Sequence, residues 1–209
     1  MKTKLSTHQP LREIGNVLLW LGIVYITWTF MHPADPYLQF TKEVLGRYFP
    51  VRWFLILHIT AGGGAIILGP FQFWKRLYAK GWKIHRIIGT FYLLAVLASS
   101  ICAVILASTA SYAVGWPYAF SLQVWATVWI SATFIAYRMA LIRKFKQHQE
   151  WMVRSYLVTL AFVISGLLLR TPWVKTLGSL GDIGPTFFWL GWAVPLYLYE
   201  VVLSVKRKG

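Results

Sequence analysis

Apolar residues gather along this chain in six long blocks, near residues 14–31, 51–74, 84–108, 118–141, 151–170 and 186–205, divided by short turns rich in Lys, Arg, Pro and Gly. Each block approaches the about 20 helical residues that cross a hydrocarbon core. None shows the two-residue alternation of a membrane β-barrel strand. Backbone groups left unpaired in lipid are costly, so continuous apolar blocks of this length are expected to be helical. The pattern predicts an all-α, polytopic membrane helix bundle with six transmembrane helices, forming a single integral membrane domain over residues 1–209.

The connecting stretches refine this picture. Pro33 and Pro36 close the first helix, and Tyr37, Phe40, Val44 and Tyr48 then recur at helical spacing. That spacing predicts a short amphipathic helix lying in the outer interface. The first block follows Lys2, Lys4 and Arg12 and ends in WTFMHPADP, with no small-x-small cleavage site, so it reads as a retained span and not as a signal peptide. The later stretch TPWVKTLGSLGDIGP lacks the Gly-Lys-Ser/Thr ending of a phosphate loop and is expected to be a flexible outer connector.

Composition and charge support the membrane reading. Of 209 residues, 57% are hydrophobic and 13% are charged, whereas a soluble domain carries about a quarter charged residues. The net charge of +15 would suggest nucleic acid in a soluble protein. Here the basic residues flank apolar blocks and form no continuous face, so lipids and not nucleic acid are the expected partner. With the N-terminus placed in the cytoplasm, Lys2, Lys4, Arg12, Lys75, Arg76, Lys80, Lys83, Arg86, Arg138, Arg143, Lys144, Lys146, Arg154, Lys206, Arg207 and Lys208 fall inside. Only Lys42, Arg47, Arg52, Arg170 and Lys175 fall outside. This positive-inside bias predicts that both termini are cytoplasmic, in a cell membrane of the bacterial inner-membrane kind. Trp28, Trp53, Trp74, Trp82, Trp116, Trp151, Trp173 and Trp189 sit at block ends as interfacial belts, while Trp125 and Trp129 are mid-span and expected to pack between helices. The single Cys102 lies in an apolar run, as a packing residue.

The residues able to carry chemistry lie in a few runs. In the second block, Ala61, Ala65 and Gly69 form a small-xxx-small stripe that admits a close neighbouring helix, with Gly62, Gly63, Gly64 and Pro70 beside it. His58 lies about two turns inside the outer end, where an ionisable side chain is a functional candidate by default. His85, Gly89 and Tyr92 share one face of the third block, and the fifth opens on a comparable run, HQEWMVRSY. Both blocks run inside to outside, so His85 and His148 are expected at similar depth. Glu150 and Arg154 are spaced to pair along one helix. Glu200, inside the sixth block, needs a partner such as Arg138 or Arg154.

The runs HITAGGGAIILGPFQFW, HRIIGTFY, HQEWMVRSYLVT and the late Glu200 resemble the "domain of unknown function 2306" family of multipass membrane proteins. The resemblance covers about residues 51–200 and implies a pattern of His58, Gly69-Pro70, His85-Arg86, Gly89, Tyr92, His148, Trp151, Met152, Arg154, Ser155 and Glu200. Where that family often has an arginine after the glycine, this chain has Thr90, so no role of that arginine carries over. The resemblance implies topology and a residue list but no activity.

Three functions fit these residues. The first is a small membrane redox protein binding haem b or a quinone between helices. His85 and His148 are then the candidate haem-iron ligands, and His58, Tyr92, Arg154 and Glu200 are further cofactor-binding candidates. The second is a proton-coupled transporter of a small molecule, with His58, Arg170 and the glycines as an outer site and Arg154 with Glu200 as an inner one. The third is a non-catalytic membrane module that assists or binds a protein partner. Hydrolase chemistry finds no G-x-S-x-G and no H-E-x-x-H.

Overall fold

The computed structural model describes residues 8–74 and 82–208, and among these every regular element is helical. The long helices, in chain order, are α1 (His8–Met31), α2 (Arg52–Gln72), α3 (Trp82–Ser108), α4 (Trp116–Leu141), α5 (Phe145–Leu168) and α6 (Leu180–Lys208). Five helical stretches, those holding α2 to α6, are long and apolar enough to cross a membrane. The first expected span lies within α1, where several side chains fall outside the described residues. The basic turn with Lys75, Arg76 and Lys80, and the N-terminal Lys2 and Lys4, also lie outside them.

Helix boundaries follow local chemistry. Pro117 sits in the first turn of α4, where its missing N–H costs nothing, and Gly115 precedes it at φ 150°. Pro185 and Pro195 are both accommodated inside α6. Between α5 and α6 the expected flexible connector contains a single helical turn, Pro172–Lys175, whose Val174 is buried.

The outer amphipathic helix is not formed as one element. Residues His32–Gln39 and Gly46–Val51 are 3₁₀ turns around a short α-turn, Lys42–Leu45. Phe40 adopts φ 58° and Gly46 φ 48°, left-handed values that interrupt a helix. Thr41 caps the middle turn by accepting from the Val44 N–H, at 3.4 Å. The buried anchor is Leu45, which lay outside the expected stripe and packs with Leu55 and Leu106.

In the bundle α2 lies most closely against α3, α4 against α5, and α5 against α6, with α3 also packed on α4. Helix α1 touches the rest lightly, at α2 and α5. The core is aromatic. Trp125 and Trp129 are 1% and 0% exposed, as mid-span tryptophans facing other helices should be. Phe162 stacks on Trp125 with ring centroids 3.9 Å apart and meets Trp129 at 5.0 Å. The outside carries exposed Phe91, Leu94, Phe134, Tyr197, Leu198 and Val205, an apolar surface suited to lipid.

The small-residue stripe does what its spacing predicts. Gly69 lies so close to the Tyr156 ring that a Cβ there would overlap it. Tyr156 in turn donates from its hydroxyl to the Ile66 carbonyl, at 3.3 Å. Cys102 is buried, as a packing residue should be.

Candidate functional site

The six candidate residues do not converge on one site; the structure distributes them over four places. His85 and His148 each stand in the first turn of their helices, α3 and α5, and so come to the same depth. Their ring centroids are 6.4 Å apart, with planes nearly perpendicular at 86°. Both line a cavity of about 610 Å³ at the basic end of the bundle. Ligand pockets run from roughly 300 to 1,000 Å³, so this one has room for a cofactor-sized group.

The His148 ring is fixed. Its Nδ1 lies 2.8 Å from the Ala136 carbonyl oxygen. A carbonyl only accepts, so Nδ1 carries the proton and Nε2 of the neutral ring keeps its lone pair for a ligand. Arg86 and Arg143 add positive charge to the cavity wall, while Leu93, Leu141, Phe145 and Met152 make much of the remainder apolar. Thr90, in the place of the missing arginine, also lines it and donates back to the Arg86 carbonyl at 2.9 Å.

Gln72 is a member of this cavity that sequence reasoning missed. It ends α2, is 6% exposed and lies against Gly89, where an added Cβ would come within 3.1 Å of its Oε1. Its buried Nε2 has no hydrogen-bond partner among the described residues. A lone Gln at the end of an apolar run gave no signal beyond an interfacial polar residue. Such an unsatisfied group costs about 1–3 kcal/mol. Gln72→Leu is therefore expected to raise the unfolding free energy of the ligand-free protein by about 1 kcal/mol, read by denaturant titration in mixed micelles. A clear loss of stability would show that the amide has a partner after all.

Tyr92 is buried away from the cavity, in a chain of hydroxyls. Its OH lies 2.8 Å from Ser155 Oγ and 3.1 Å from Thr159 Oγ1. Ser155 meets Thr133 Oγ1 at 2.6 Å, and Trp129 Nε1 donates to Thr159 Oγ1 at 2.8 Å. Three helices thus satisfy one another's polar groups in the middle of the bundle, as groups there must. Ser155 was visible only within the family pattern. Thr133 and Thr159 carried no signal, because isolated threonines in apolar helices usually bond back to their own helix.

Arg154 and Glu200 pair between α5 and α6, with Nε 2.6 Å from Oε1. The guanidinium lies over Trp151 at 4.6 Å and Tyr199 at 5.3 Å, which shields it. Glu200 thus selects Arg154 and not Arg138. The expected Glu150–Arg154 pair is not formed, since Glu150 meets Arg207 at 2.6 Å. A pair along one helix surface is worth only about 0.2–0.5 kcal/mol, so partners on an adjacent helix displace it readily. The two pairs fasten the basic ends of α5 and α6 together.

His58 lies toward the opposite end. Its Nδ1 is 2.9 Å from Ser99 Oγ and 3.0 Å from the Ser99 carbonyl oxygen, and Ser99 Oγ donates to the His58 carbonyl at 3.0 Å. It lines a smaller cleft with Gly62, Gly63 and Arg170. Arg170 is committed elsewhere: it donates to the Thr29 and Phe30 carbonyls at the end of α1, at 3.3 to 3.4 Å. That is the favourable placement of a cation at a helix C-terminus. Among the described residues no group of three or more His, Cys, Asp or Glu side chains is placed to hold a metal ion. A metal at the basic end would have two protein ligands, His85 and His148.

Residues 55–203 match the family model described as "Predicted membrane protein (DUF2306)". The matched stretch includes all six candidate residues and leaves α1 outside. No curated protein and no solved structure matches the chain.

Proposed function

This chain belongs to the family of predicted membrane proteins designated DUF2306, and from that premise we propose that it is a six-span membrane redox protein that holds a haem b between His85 and His148. The observation that carries this reading is the spacing of the two imidazoles. The two rings stand on different helices and line one cavity, so both would reach a group bound between them. The centroids here are 6.4 Å apart. The Ala136 carbonyl leaves Nε2 of His148 as the ligating nitrogen, the usual outer partnership of a ligand histidine. Arg86 and Arg143 would pair with propionate carboxylates, and the apolar wall around Leu93 and Met152 would keep water from the macrocycle. Bound iron would supply one-electron chemistry; the protein's own residues bind, orient and insulate it.

Absorption spectra of the detergent-purified protein, oxidised and then reduced with dithionite, test the reading. A Soret band that shifts on reduction is expected after expression in haem-replete cells. His148→Ala should abolish or shift it, as should His85→Ala, while His58→Ala should leave it unchanged. Absence of a band in the parent protein ends the haem reading.

Both termini lie in the cytoplasm in this proposal, with the basic end of the bundle inside. The support is the charge bias between the two sides. A reporter fused after Gly209 should read cytoplasmic, and one inserted after Leu177 should read external. Reversed readings would overturn the orientation.

A further inference from the structure

We propose that the cleft beside His58 is a second ligand site, which takes a hydroquinone-type ring whose hydroxyl donates to His58. The inference rests on this cleft alone and stands or falls independently of the haem reading. Its first support is the state of the imidazole. Nδ1 of His58 lies 3.0 Å from the Ser99 carbonyl oxygen, which only accepts. The hydroxyl of Ser99 is spent on the His58 carbonyl, at 3.0 Å, and so also offers Nδ1 a lone pair. Nδ1 therefore carries the ring proton, and Nε2 of the neutral ring is a hydrogen-bond acceptor. A part-buried acceptor beside an apolar cleft favours a ligand with an O–H over one with only a carbonyl or an ether oxygen.

The second support is size and wall chemistry. The cleft has a volume of about 120 Å³. A closed apolar cavity of about 150 Å³ holds benzene, and this cleft is somewhat smaller but open, so it seats part of a six-membered ring while the rest projects out of it. Trp129 and Phe162 supply aromatic walls, and the ring of His58 meets Phe162 edge-on at 6.0 Å. On the α2 side the cleft is lined by His58, Ile59 and Ile66, with Gly62 and Gly63 adding no side chains between them. The cleft is not sealed, so a substituent on the ring can leave it toward the surroundings. Its remaining wall comes from Phe30 and Met31 at the end of α1. Both are seated closely on glycines: a Cβ on Gly166 would fall 2.5 Å from Phe30, and one on Gly63 would fall 2.6 Å from Met31. The wall is therefore held in place, and the Arg170 bonds to the α1 carbonyls hold it further.

The test is equilibrium binding of a decyl-substituted hydroquinone, and of its dimethyl ether, to the full-length protein in detergent. Saturable binding of the hydroquinone is expected, with the ether about tenfold weaker, the worth of one hydrogen bond at the upper end of the usual range. His58→Ala should weaken the hydroquinone by about the same factor and remove the preference over the ether. Ala34→Phe, on the turn after α1, adds a ring to the cleft wall while keeping His58 in the sequence, and should weaken both ligands tenfold or more. That variant decides the matter if His58→Ala does not fold. His148→Ala, at the other cavity, should leave this binding unchanged. No saturable binding, equal affinity for the ether, or binding lost in His148→Ala but kept in His58→Ala and Ala34→Phe would each overturn the proposal.

Discussion

Replacing Trp129 by alanine is expected to cost about 3–5 kcal/mol of stability, the usual loss for an aromatic residue cut from a packed interior. Trp129 is fully buried, meets Phe162 at 5.0 Å, and donates to Thr159 Oγ1 at 2.8 Å. Removal would leave a cavity beside the stacked Trp125–Phe162 pair and withdraw one donor from the hydroxyl chain. In a membrane the transfer contribution is reduced, because lipid is as apolar as the core, so packing and the lost hydrogen bond carry most of the effect. Phe134→Ala is the matched control: the ring is 62% exposed on the outer surface of the same helix and should cost about 0.5 kcal/mol or less. Reversible denaturant titration in mixed micelles measures both. Equal losses would mean that the aromatic centre is not the core of the bundle.

The second large effect is expected at Gly69. An added Cβ there would overlap the Tyr156 ring, whose hydroxyl is tied to the α2 backbone at Ile66. Gly69→Ala should cost about 1–3 kcal/mol through overpacking, against the roughly 1 kcal/mol that alanine ordinarily gains over glycine inside a helix. Gly22 has nothing within 4 Å of an added Cβ. Gly22→Ala should therefore be neutral or stabilising. The overlap is with one ring, so Tyr156→Leu combined with Gly69→Ala should cost less than the sum of the two changes. Strict additivity would show that the helices separate at Gly69 without involving Tyr156.

Legibility from the sequence varied with the physics behind each signal. Helix existence was plain, because lipid admits only helices or closed barrels and the apolar blocks lack strand alternation. Hence α2, α3 and α4 begin and end within two residues of their expected blocks. Helix α5 starts at Phe145, well before the expected 151, because polar residues continue a helix past the apolar region at little cost. The outer amphipathic stretch failed because a period alone does not register left-handed turns such as that at Phe40. At the candidate sites, spacing gave His85 and His148 only a matching depth, and the packing of the helices brought their ring centroids to 6.4 Å. Nothing in the spacing revealed Gln72, since a single polar residue between apolar neighbours has no periodicity.

The order of residues is sufficient for the class of molecule: apolar helices of membrane length, with basic residues flanking them. These depend on local composition and on the backbone's need for internal hydrogen bonds, both of which can be counted along a chain. Which helices touch is settled by packing in three dimensions. It paired Glu200 with Arg154 and sent Glu150 to Arg207, linked Tyr92 to Ser155 and Thr159, and gave His58 its Ser99 bonds. Those choices depend on the rotation and offset of one helix against another, which are set by shape at a few close contacts such as Gly69 against Tyr156. Shape of that kind is a property of two surfaces together and is absent from either stretch of sequence alone.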